Sequence, residues 1–545
     1  MQTHFFYGNF ATTMKISMGR YWNLCLSVLF GIVVFLFWYL AYPHALSYQE
    51  QYQLFLWTGD YFCERISVPG GMSEWLGEFI VQFYYVEWLG ALLLSLLIVA
   101  LGWTAGWIPA ALVLWLLGDP SVKLGYVVAL LMVVGAHRIN PVKWGRQAWS
   151  EVVVIPVVYW LTGPLAWVYV LLRMYRYGLK SWFMPLCLLT MQLLAYRFLL
   201  TQWTLEMTLM PAQYYRTPMM MPVLMWLIPL LTVLTIVVQH RIHTVKWLLP
   251  VQVAIVIALV WLGVSKGYDK EMYELIRQDY LVRQERWDEI VNRAKEYQVK
   301  TPFSSVCVNL ALSQKHLLAD RMFDFYQSDE NALIMPRIRD LTSMLPSAEA
   351  FWRLGMVNSS LRYFFDTQES ILDGSMSGRC TKRIAECMIV NGHYKTARKH
   401  LNLLKKSLFY REWAVNAETL LGDEVAINAH PVYGKLRQLR YKNDFLYSHL
   451  ELYKMLGLLF MNNTKNTMAL EYFMGQMLLE GQVQGFQQYM PMAEKYSGYR
   501  EMPIGYQDAM MCIQKQGNAP GSSYAEYVKR MVKQKSKNED DDGAH

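Results

Sequence analysis

Charged residues are distributed very unevenly along this 545-residue chain, and this constrains the fold more than any other feature. The first 265 residues contain 14 Lys and Arg and 9 Asp and Glu, whereas the remaining 280 contain 37 and 34. The first part is too apolar for a soluble domain, while the second has the charge content of about 25% that is typical of one. We therefore predict a membrane domain in residues 1–266, a soluble helical domain in residues 267–532 and a polar, disordered tail in residues 533–545.

Nine apolar segments are candidates for membrane-spanning helices, with seven or eight spans as alternatives. A helix needs about 20 apolar residues to cross the hydrocarbon core, and several segments reach that length while others are shorter. Gly118-Asp119-Pro120 and Thr162-Gly163-Pro164 predict turns between short helices. The nine segments are approximately 21–42, 85–103, 106–118, 122–137, 150–162, 164–177, 181–200, 221–239 and 247–265.

Lys and Arg predict the orientation of these spans, because they concentrate in short cytoplasmic loops. With nine spans and a cytoplasmic N-terminus, only Arg65, Lys123 and Arg216 lie in external loops. The odd number of spans then exports the C-terminal domain. We expect a multi-pass protein of a bacterial inner membrane with that domain in the periplasm. The basic residues expected on the cytoplasmic side are Lys15, Arg20, Arg138, Lys143, Arg146, Arg173, Arg176, Lys180, Arg241 and Lys246.

Residues 43–84 form a long first external loop that we expect to contain two juxtamembrane helices. The first is predicted within the amphipathic residues 48–65. Pro69-Gly70-Gly71 breaks the chain, and Ser73 with Glu74 predicts the start of the second helix.

The same loop has five carboxylates against a single Arg65. Asp60 and Glu64 are four residues apart and share a helix face, as do Glu74 and Glu78. A neighbouring negative charge raises a carboxyl pKa, so these groups could act as a general base or bind a divalent cation, the one cofactor that the sequence suggests. Alternatively, they are the solvated faces of interfacial helices whose Trp and Tyr side chains form an aromatic belt.

Arg197, in the segment LLAYRFLL, is the clearest ionisable residue at membrane depth. It precedes an external loop that contains Tyr214, Tyr215 and Arg216. Guanidinium groups bind phosphates through paired hydrogen bonds, so Arg197 and Arg216 could hold the pyrophosphate of a lipid-linked donor on the side of Asp60. Alternatively, Arg197 extends to the membrane interface and Arg216 meets lipid phosphates nonspecifically.

One span followed by a long external loop with an acidic residue and two juxtamembrane helices resembles the integral membrane C-type glycosyltransferases. The resemblance covers this loop and the general topology, and it implies a polyprenyl-linked sugar donor, with Asp60 as base or metal ligand and Glu64 in support. The loop contains no WWDYG-like motif and no DxD or ExD triplet, so transfer of an oligosaccharide to Asn is not expected. The residues expected to bind substrates are Arg65, Glu74, Glu78, Arg197, Tyr214, Tyr215 and Arg216.

The sequence pattern of the second part of the chain predicts charged helical repeats. In RIAECMIVNGHYKTARKHLNLLKKS, Ala385, Gly392, Tyr394, Ala397 and Leu401 match the tetratricopeptide pattern, in which small residues let two helices pack closely and the Tyr fills the gap. We predict an all-α fold in which a polytopic transmembrane helical domain precedes a tetratricopeptide-like α-solenoid. The chain as a whole resembles a family of Bacteroidota membrane proteins with such C-termini. Looser repeats lie around Trp287, Ile290 and Ala294, around Ala350, Gly355 and Leu361, and around Ala469, Gly481 and Phe486.

Two function classes fit this organisation. The first is a membrane glycosyltransferase that moves a sugar from a polyprenyl-phosphate donor to an envelope acceptor at the external face. The second is a noncatalytic, membrane-anchored scaffold whose repeats bind a protein or peptide and assemble an envelope complex. A transporter fits less well, since no inverted repeat is evident and GxxxxGK[ST] is absent. The dispersed net charge of +8 and seven scattered Cys without CxxC argue against nucleic-acid binding, a disulfide scaffold and a zinc site.

Overall fold

A computed structural model describes residues 24–139, 148–216, 223–241, 248–372, 374–441, 451–496, 501–515 and 519–542. Regular structure in these ranges is entirely helical, apart from one isolated bridge between Val122 and Arg216. The predicted all-α class is therefore confirmed. The chain divides between Asp269 and Lys270 into two compact units, a few residues after the boundary that we predict from the charges.

The first unit is built from apolar helices of very different lengths. Each predicted span coincides within a few residues with one of them. In the described ranges they are α1 (Leu24–Ala41), α2 (Pro43–Gln51), α3 (Gly59–Ile66), α4 (Gly71–Val81), α5 (Glu87–Ala105), α6 (Trp107–Leu116), α7 (Gly125–Ile139), α8 (Glu151–Thr162), α9 (Ala166–Tyr177), α10 (Phe183–Phe198), α11 (Leu205–Leu209), α12 (Pro211–Tyr214), α13 (Leu224–Arg241) and α14 (Leu248–Lys266).

Three helical stretches of the described residues are long and apolar enough to cross a membrane, or up to four if a bent helix pair counts as one span. They are α1, α5 and residues 148–177. Shorter apolar helices, among them α6, α7, α10 and α13, accompany them. This composition is compatible with a membrane protein, while the count of nine spans stays a prediction.

Residues 148–177 form a hairpin rather than one straight helix. Arg173 Nε donates to Glu151 Oε1 at 2.7 Å, across 22 residues of sequence. In a continuous helix these residues would be about 33 Å apart, at 1.5 Å per residue. The chain therefore reverses at the predicted Thr162-Gly163-Pro164 turn, where Gly163 has a φ of 57°. Each arm, α8 or α9, is about 18 Å long and too short to cross the hydrocarbon core by itself.

Residues 43–84, the predicted first external loop, contain three α-helices, α2, α3 and α4, where we predict two. The predicted helix over residues 48–65 is interrupted after Gln51, and α3 begins anew because the Thr58 side chain accepts a hydrogen bond from the Tyr61 N–H. Gly70, with a φ of 87°, takes the N-cap position of α4 that we assign to Ser73. Both differences arise from local capping that the amphipathic pattern does not reveal.

The second unit is a succession of short helices, and most of them pack against the next in sequence. In the described ranges they are α15 (Lys270–Arg283), α16 (Trp287–Glu296), α17 (Pro302–Gln314), α18 (Leu318–Arg321), α19 (Leu345–Leu354), α20 (Val357–Glu369), α21 (Gly378–Asn391), α22 (Tyr394–Leu404), α23 (Arg411–Thr419), α24 (Glu424–Ala429), α25 (Tyr433–Leu439), α26 (Leu452–Asn462), α27 (Thr467–Leu479), α28 (Val483–Tyr496), α29 (Ile504–Gln514) and α30 (Ser523–Asp542).

Five turns between consecutive helices of this unit have the same geometry. In each turn, one residue adopts the left-handed conformation, and the backbone N–H of the following residue donates a hydrogen bond to the carbonyl five residues before it. After Gly392, for example, the His393 N–H donates to the Met388 carbonyl at 2.8 Å. Three of the left-handed residues are glycines of the predicted repeats. The left-handed residues are Glu285, His316, Gly355, Gly392 and Gly481.

The small and apolar residues of the clearest repeat are buried as predicted, since Ala385, Ala397 and Leu401 are all inaccessible. Tyr394 differs, because its hydroxyl accepts from Arg437 Nη2 at 2.9 Å and bonds to Glu424 instead of filling the gap within its own hairpin. At the end of the chain, α30 continues to Asp542 where we predict a disordered tail from residue 533. Lys, Gln and Glu favour helix strongly enough to extend it.

Replacement of His316 by Gly is expected to raise the stability of the second unit by up to about 1 kcal/mol, because Gly has no steric penalty at a φ of 56°. His316 is exposed, so little packing is lost. The matched variant Gly392→Ala, whose added Cβ makes only an ordinary contact of 3.9 Å with the Tyr394 hydroxyl, should have the opposite effect, by about 1 kcal/mol. Urea unfolding of the full chain, followed by hydrogen exchange in α17 and α21, measures both. Destabilisation by both variants would contradict the common turn geometry.

Candidate functional site

A buried ion pair joins α3 and α4, the last two helices of the predicted first external loop. Arg65 Nη2 on α3 lies 3.0 Å from Glu78 Oε1 on α4, and the Tyr61 hydroxyl donates to Glu78 Oε2 at 2.5 Å. Tyr61 and Arg65 share a helix face because they are four residues apart, and the guanidinium lies over the Tyr61 ring. Burial raises the pKa of Glu78, and the positive charge of Arg65 opposes this shift. Both oxygens of Glu78 are thus engaged by the protein itself.

Helix α4 crosses α7 at very short range. A Cβ atom on Gly77 would lie 2.6 Å from the backbone nitrogen of Gly125, so the crossing requires glycine. One turn earlier on α4, Glu74 Oε1 lies 3.2 Å from Lys123 Nζ in the loop before α7. This contact neutralises a second carboxylate that we predict to bind substrate.

Tyr214 and Tyr215 connect the turn before α4 to the α8–α9 turn. The Tyr214 hydroxyl donates to the Pro69 carbonyl at 2.9 Å, and the Tyr215 hydroxyl donates to the Thr162 carbonyl at 3.1 Å. The Tyr215 hydroxyl also lies 2.8 Å from Ser73 Oγ. Both tyrosines are buried and engaged by protein groups. Their observed role is to hold two turns together.

Arg216 belongs to the same end of the first unit and is largely occupied by protein partners. It forms an ion pair with Asp119, and its Nε donates to Ser121 Oγ at 2.9 Å. Its Nη1 atom is buried and has no hydrogen-bond partner within the described ranges. The two N–H bonds of Nη1 are therefore unsatisfied within these ranges.

Asp60, Glu64 and Arg197 lie apart from these contacts. Asp60 and Glu64 are exposed on α3, and Asp60 occupies the first turn, where the positive end of the helix stabilises a carboxylate. Arg197 is exposed on α10 beside the Phe198 ring. Among the described residues, no hydrogen bond or ion pair joins Asp60 or Glu64 to Arg197 or Arg216. The predicted donor site thus divides into exposed groups and a closed polar cluster.

A metal site does not appear among the described residues either, since no group of three or more His, Cys, Asp or Glu is arranged to hold an ion. The two carboxylate pairs that could have formed a metal site have different surroundings. Glu74 and Glu78 form ion pairs with Lys123 and Arg65, and Asp60 lies at the surface with Glu64.

A second buried ion pair, between Glu151 and Arg173, is not predicted from the sequence. Both side chains are inaccessible to solvent, and the Tyr169 hydroxyl donates to Glu151 Oε2 at 2.8 Å. Arg173 is predicted as a cytoplasmic loop residue because of its charge alone. The signal that could have revealed the pair is that Glu151 is the only acidic residue between Asp119 and Glu206.

The second unit contains a network of buried charged side chains that the sequence pattern does not predict. Arg383 Nη2 lies 2.9 Å from Glu349 Oε2, and Arg379 bridges Glu349 and Asp279 at 3.5 and 2.6 Å. Burial alone would raise the pKa of Glu349, but the nearby charges of Arg383, Arg379 and Arg353 outweigh it and lower the pKa to about 2. This network joins α15, α19 and α21.

Beside this network, cationic and aromatic side chains form a surface that we name the cation–aromatic patch, defined by the half-buried Arg283, Lys382 and Trp413 and the buried Tyr410. Lys382 Nζ lies 4.9 Å from the centre of the Trp413 ring, and Arg283 Nη2 donates to the Tyr410 hydroxyl at 3.4 Å. Burial lowers the pKa of Lys382, the charges of Glu386 and Glu349 oppose this shift, and the charges of Arg383 and Arg283 lower the pKa further. A bound carboxylate would relieve this repulsion.

Comparisons with known proteins identify a family but no activity. The model of a family described as "Family of unknown function (DUF6057)" matches residues 20–538. No curated protein matches the chain. No solved structure matches it. Because the family model covers nearly the whole sequence, the chain belongs to the family of unknown function DUF6057.

Proposed function

We propose that the protein is a noncatalytic, membrane-anchored scaffold whose helical repeats bind an acidic segment of an envelope protein. The observation that carries this proposal is the cation–aromatic patch, where Lys382 lies over the Trp413 ring and within electrostatic range of Arg283. Acidic side chains complement the charge of such a surface, and the Trp413 ring adds apolar contact area. The membrane unit would then serve as the anchor.

The state of the first-loop groups supports an anchor rather than a catalytic centre. Glu74, Glu78 and Arg216 form ion pairs within the protein, and Tyr214 and Tyr215 donate to backbone carbonyls. A catalytic site has to present reactive groups to its substrate in a defined geometry. A network of this kind instead fixes the turns of short helices against one another.

The proposal includes an odd number of spans, a cytoplasmic N-terminus and a periplasmic second unit, with the α8–α9 hairpin not counted as two spans. Two sets of helix ends, which meet in different contacts of the first unit, support this topology. Arg138, at the end of α7, donates to the Thr104 carbonyl at the end of α5, and His137 lies near Arg173 at the end of α9. The opposite ends, marked by Lys123 and Tyr215, meet through a backbone hydrogen bond of 3.0 Å. The end rich in Arg would face the cytoplasm.

The proposal also takes the second unit to be a tetratricopeptide-like solenoid. Its support is the five-fold recurrence of one turn geometry between consecutive helices, together with the burial of the small residues Ala385 and Ala397. Repeated helical hairpins present an extended surface to a partner, which suits a scaffold.

A binding measurement on the purified full chain tests the scaffold. A synthetic peptide rich in Glu is the probe. Lys382→Gln is expected to weaken its binding about ten-fold, the loss that follows from removal of one charge-assisted contact. Lys395→Gln, on the exposed side of α22, is the matched control and should bind like the unaltered chain. Equal affinities for all three proteins, or no binding, would reject the patch as an acidic-peptide site.

A polyprenyl-dependent glycosyltransferase is the second candidate function. The unsatisfied Nη1 of Arg216 and the exposed Asp60 and Glu64 favour it, since a donor phosphate could bind the first and an acceptor could reach the second pair. Under this function, Asp60→Asn abolishes sugar transfer from a polyprenyl-phosphate donor without loss of protein. Normal transfer by that variant would exclude Asp60 as the base.

A further inference from the structure

One end of the first unit gathers five basic side chains from three helices. His137 at the end of α7 lies within electrostatic range of each of the others. Glu151 is the one acidic residue that contacts this group within the described ranges. With both histidines neutral, three arginines and one carboxylate leave a net charge of about +2. The five residues, here named the basic end cluster, are His137, Arg138, Arg173, Arg176 and His240.

Two members of the cluster carry buried polar atoms that no protein group satisfies. Arg173 is inaccessible to solvent, and although its Nε bonds Glu151, its Nη1 has no hydrogen-bond partner in the described part of the chain. The Nδ1 atom of the half-buried His137 is also buried and has no hydrogen-bond partner in the same part of the chain. An unsatisfied buried polar group costs about 1–3 kcal/mol, and more if it is charged. Such groups on neighbouring side chains indicate that a ligand belongs between them.

The rim of the cluster is open. Arg138, Arg176 and His240 are exposed, whereas Arg173 and His137 lie deeper. An anion could therefore enter from the surface and reach buried donors. The excess of positive charge excludes a cation, and the forked donors of several arginines suit a group with several acceptor oxygens in a compact arrangement.

We propose that the basic end cluster is a binding site for a phosphate group. Arg173 Nη1 donates from the buried side, His137 Nδ1 donates when it carries a proton, and Arg138 and Arg176 contact the remaining oxygens from the rim. The phosphate belongs either to a phospholipid headgroup or to a free phosphate ion. The site is separate from the acidic-peptide patch, so it stands whether or not the scaffold function does.

The test uses the full chain in detergent with three probes: phosphatidic acid, phosphatidylcholine and inorganic phosphate. We expect phosphatidic acid to raise the thermal unfolding midpoint and to bind about ten-fold more tightly than phosphatidylcholine, whose phosphate carries a choline cap. Arg176→Gln should weaken this binding about ten-fold, the loss of one charge-assisted contact. Because Arg176 is exposed, this variant should fold normally.

Lys266→Gln is the matched control, since Lys266 is an exposed basic residue of the first unit outside the cluster. A second variant combines Glu151→Gln with Arg173→Gln. It removes the buried donor and leaves no unpaired charge of this ion pair in the interior. If phosphatidic acid binds and inorganic phosphate does not, the site is assigned to a lipid headgroup. If millimolar inorganic phosphate raises the thermal unfolding midpoint equally, the site is assigned to a free phosphate ion. Absence of binding, or equal losses in Arg176→Gln and Lys266→Gln, would overturn the proposal.

Discussion

Replacement of Glu349 by Gln is expected to lower the free energy of unfolding of the second unit by about 3–5 kcal/mol. Glu349 is 2% exposed and compensates two buried arginines, Arg379 and Arg383. Removal of the carboxylate charge takes away an ion-pair partner of both guanidinium groups in the interior, where Asp279 contacts Arg379 and Glu386 contacts Arg383. Urea unfolding of the full chain, with hydrogen exchange in α19 and α21 as the local readout, measures the loss.

Glu369→Gln provides the control for this prediction. Glu369 is exposed at the end of α20, and its replacement should change stability by less than about 0.5 kcal/mol. If Glu349→Gln has an effect as small as the control, then the network is hydrated and the arginines do not depend on this carboxylate.

Replacement of Gly77 by Val is expected to destabilise the first unit by about 3 kcal/mol or more, at the upper end of the cost of overpacking. The new Cβ would stand 2.6 Å from the Gly125 backbone nitrogen, and backbone cannot move aside as a flexible side chain can. Separation of α4 from α7 would also strain the Glu74–Lys123 ion pair. The thermal unfolding midpoint of the full chain in detergent should fall, as followed by tryptophan fluorescence.

Gly135→Ala tests whether this effect depends on the crossing. Gly135 lies on α7 as well, but an added Cβ there meets no atom within 4 Å. Ala favours helix by up to about 1 kcal/mol over Gly, so this variant should be neutral or stabilising. Similar midpoints for Gly77→Val and Gly135→Ala would contradict the close packing of α4 on α7.

The sequence predicts well those features that depend on local chemistry. The Gly163 turn, the repeat glycines Gly355 and Gly392, and the buried Ala385 and Ala397 are all found where the pattern indicates. A left-handed turn and a close helix contact each demand a particular residue type at a particular position, so the residue itself reveals them.

Features that depend on long-range pairing are not predictable in this way. Glu151 and Arg173 are 22 residues apart, and nothing in either local segment indicates that they meet in the interior. Likewise, the spacing of Asp60 and Glu64 on one helix face shows that they lie together, but not that this face is exposed. The acids that are buried, Glu74 and Glu78, have the same spacing, and only the packing of α4 on α7 distinguishes the two pairs.

In-cell capture tests most directly whether function resides in the cation–aromatic patch rather than in the first-loop carboxylates. A photo-crosslinking residue at the exposed Val415 of α23, close in sequence to Trp413, would report a bound partner in native membranes. We predict that Lys382→Gln reduces the crosslinked product about ten-fold, as for one lost charge-assisted contact, while the double variant Asp60→Asn with Glu64→Gln leaves it unchanged. Loss of the product in the carboxylate variant, with an unchanged yield in Lys382→Gln, would contradict the scaffold account.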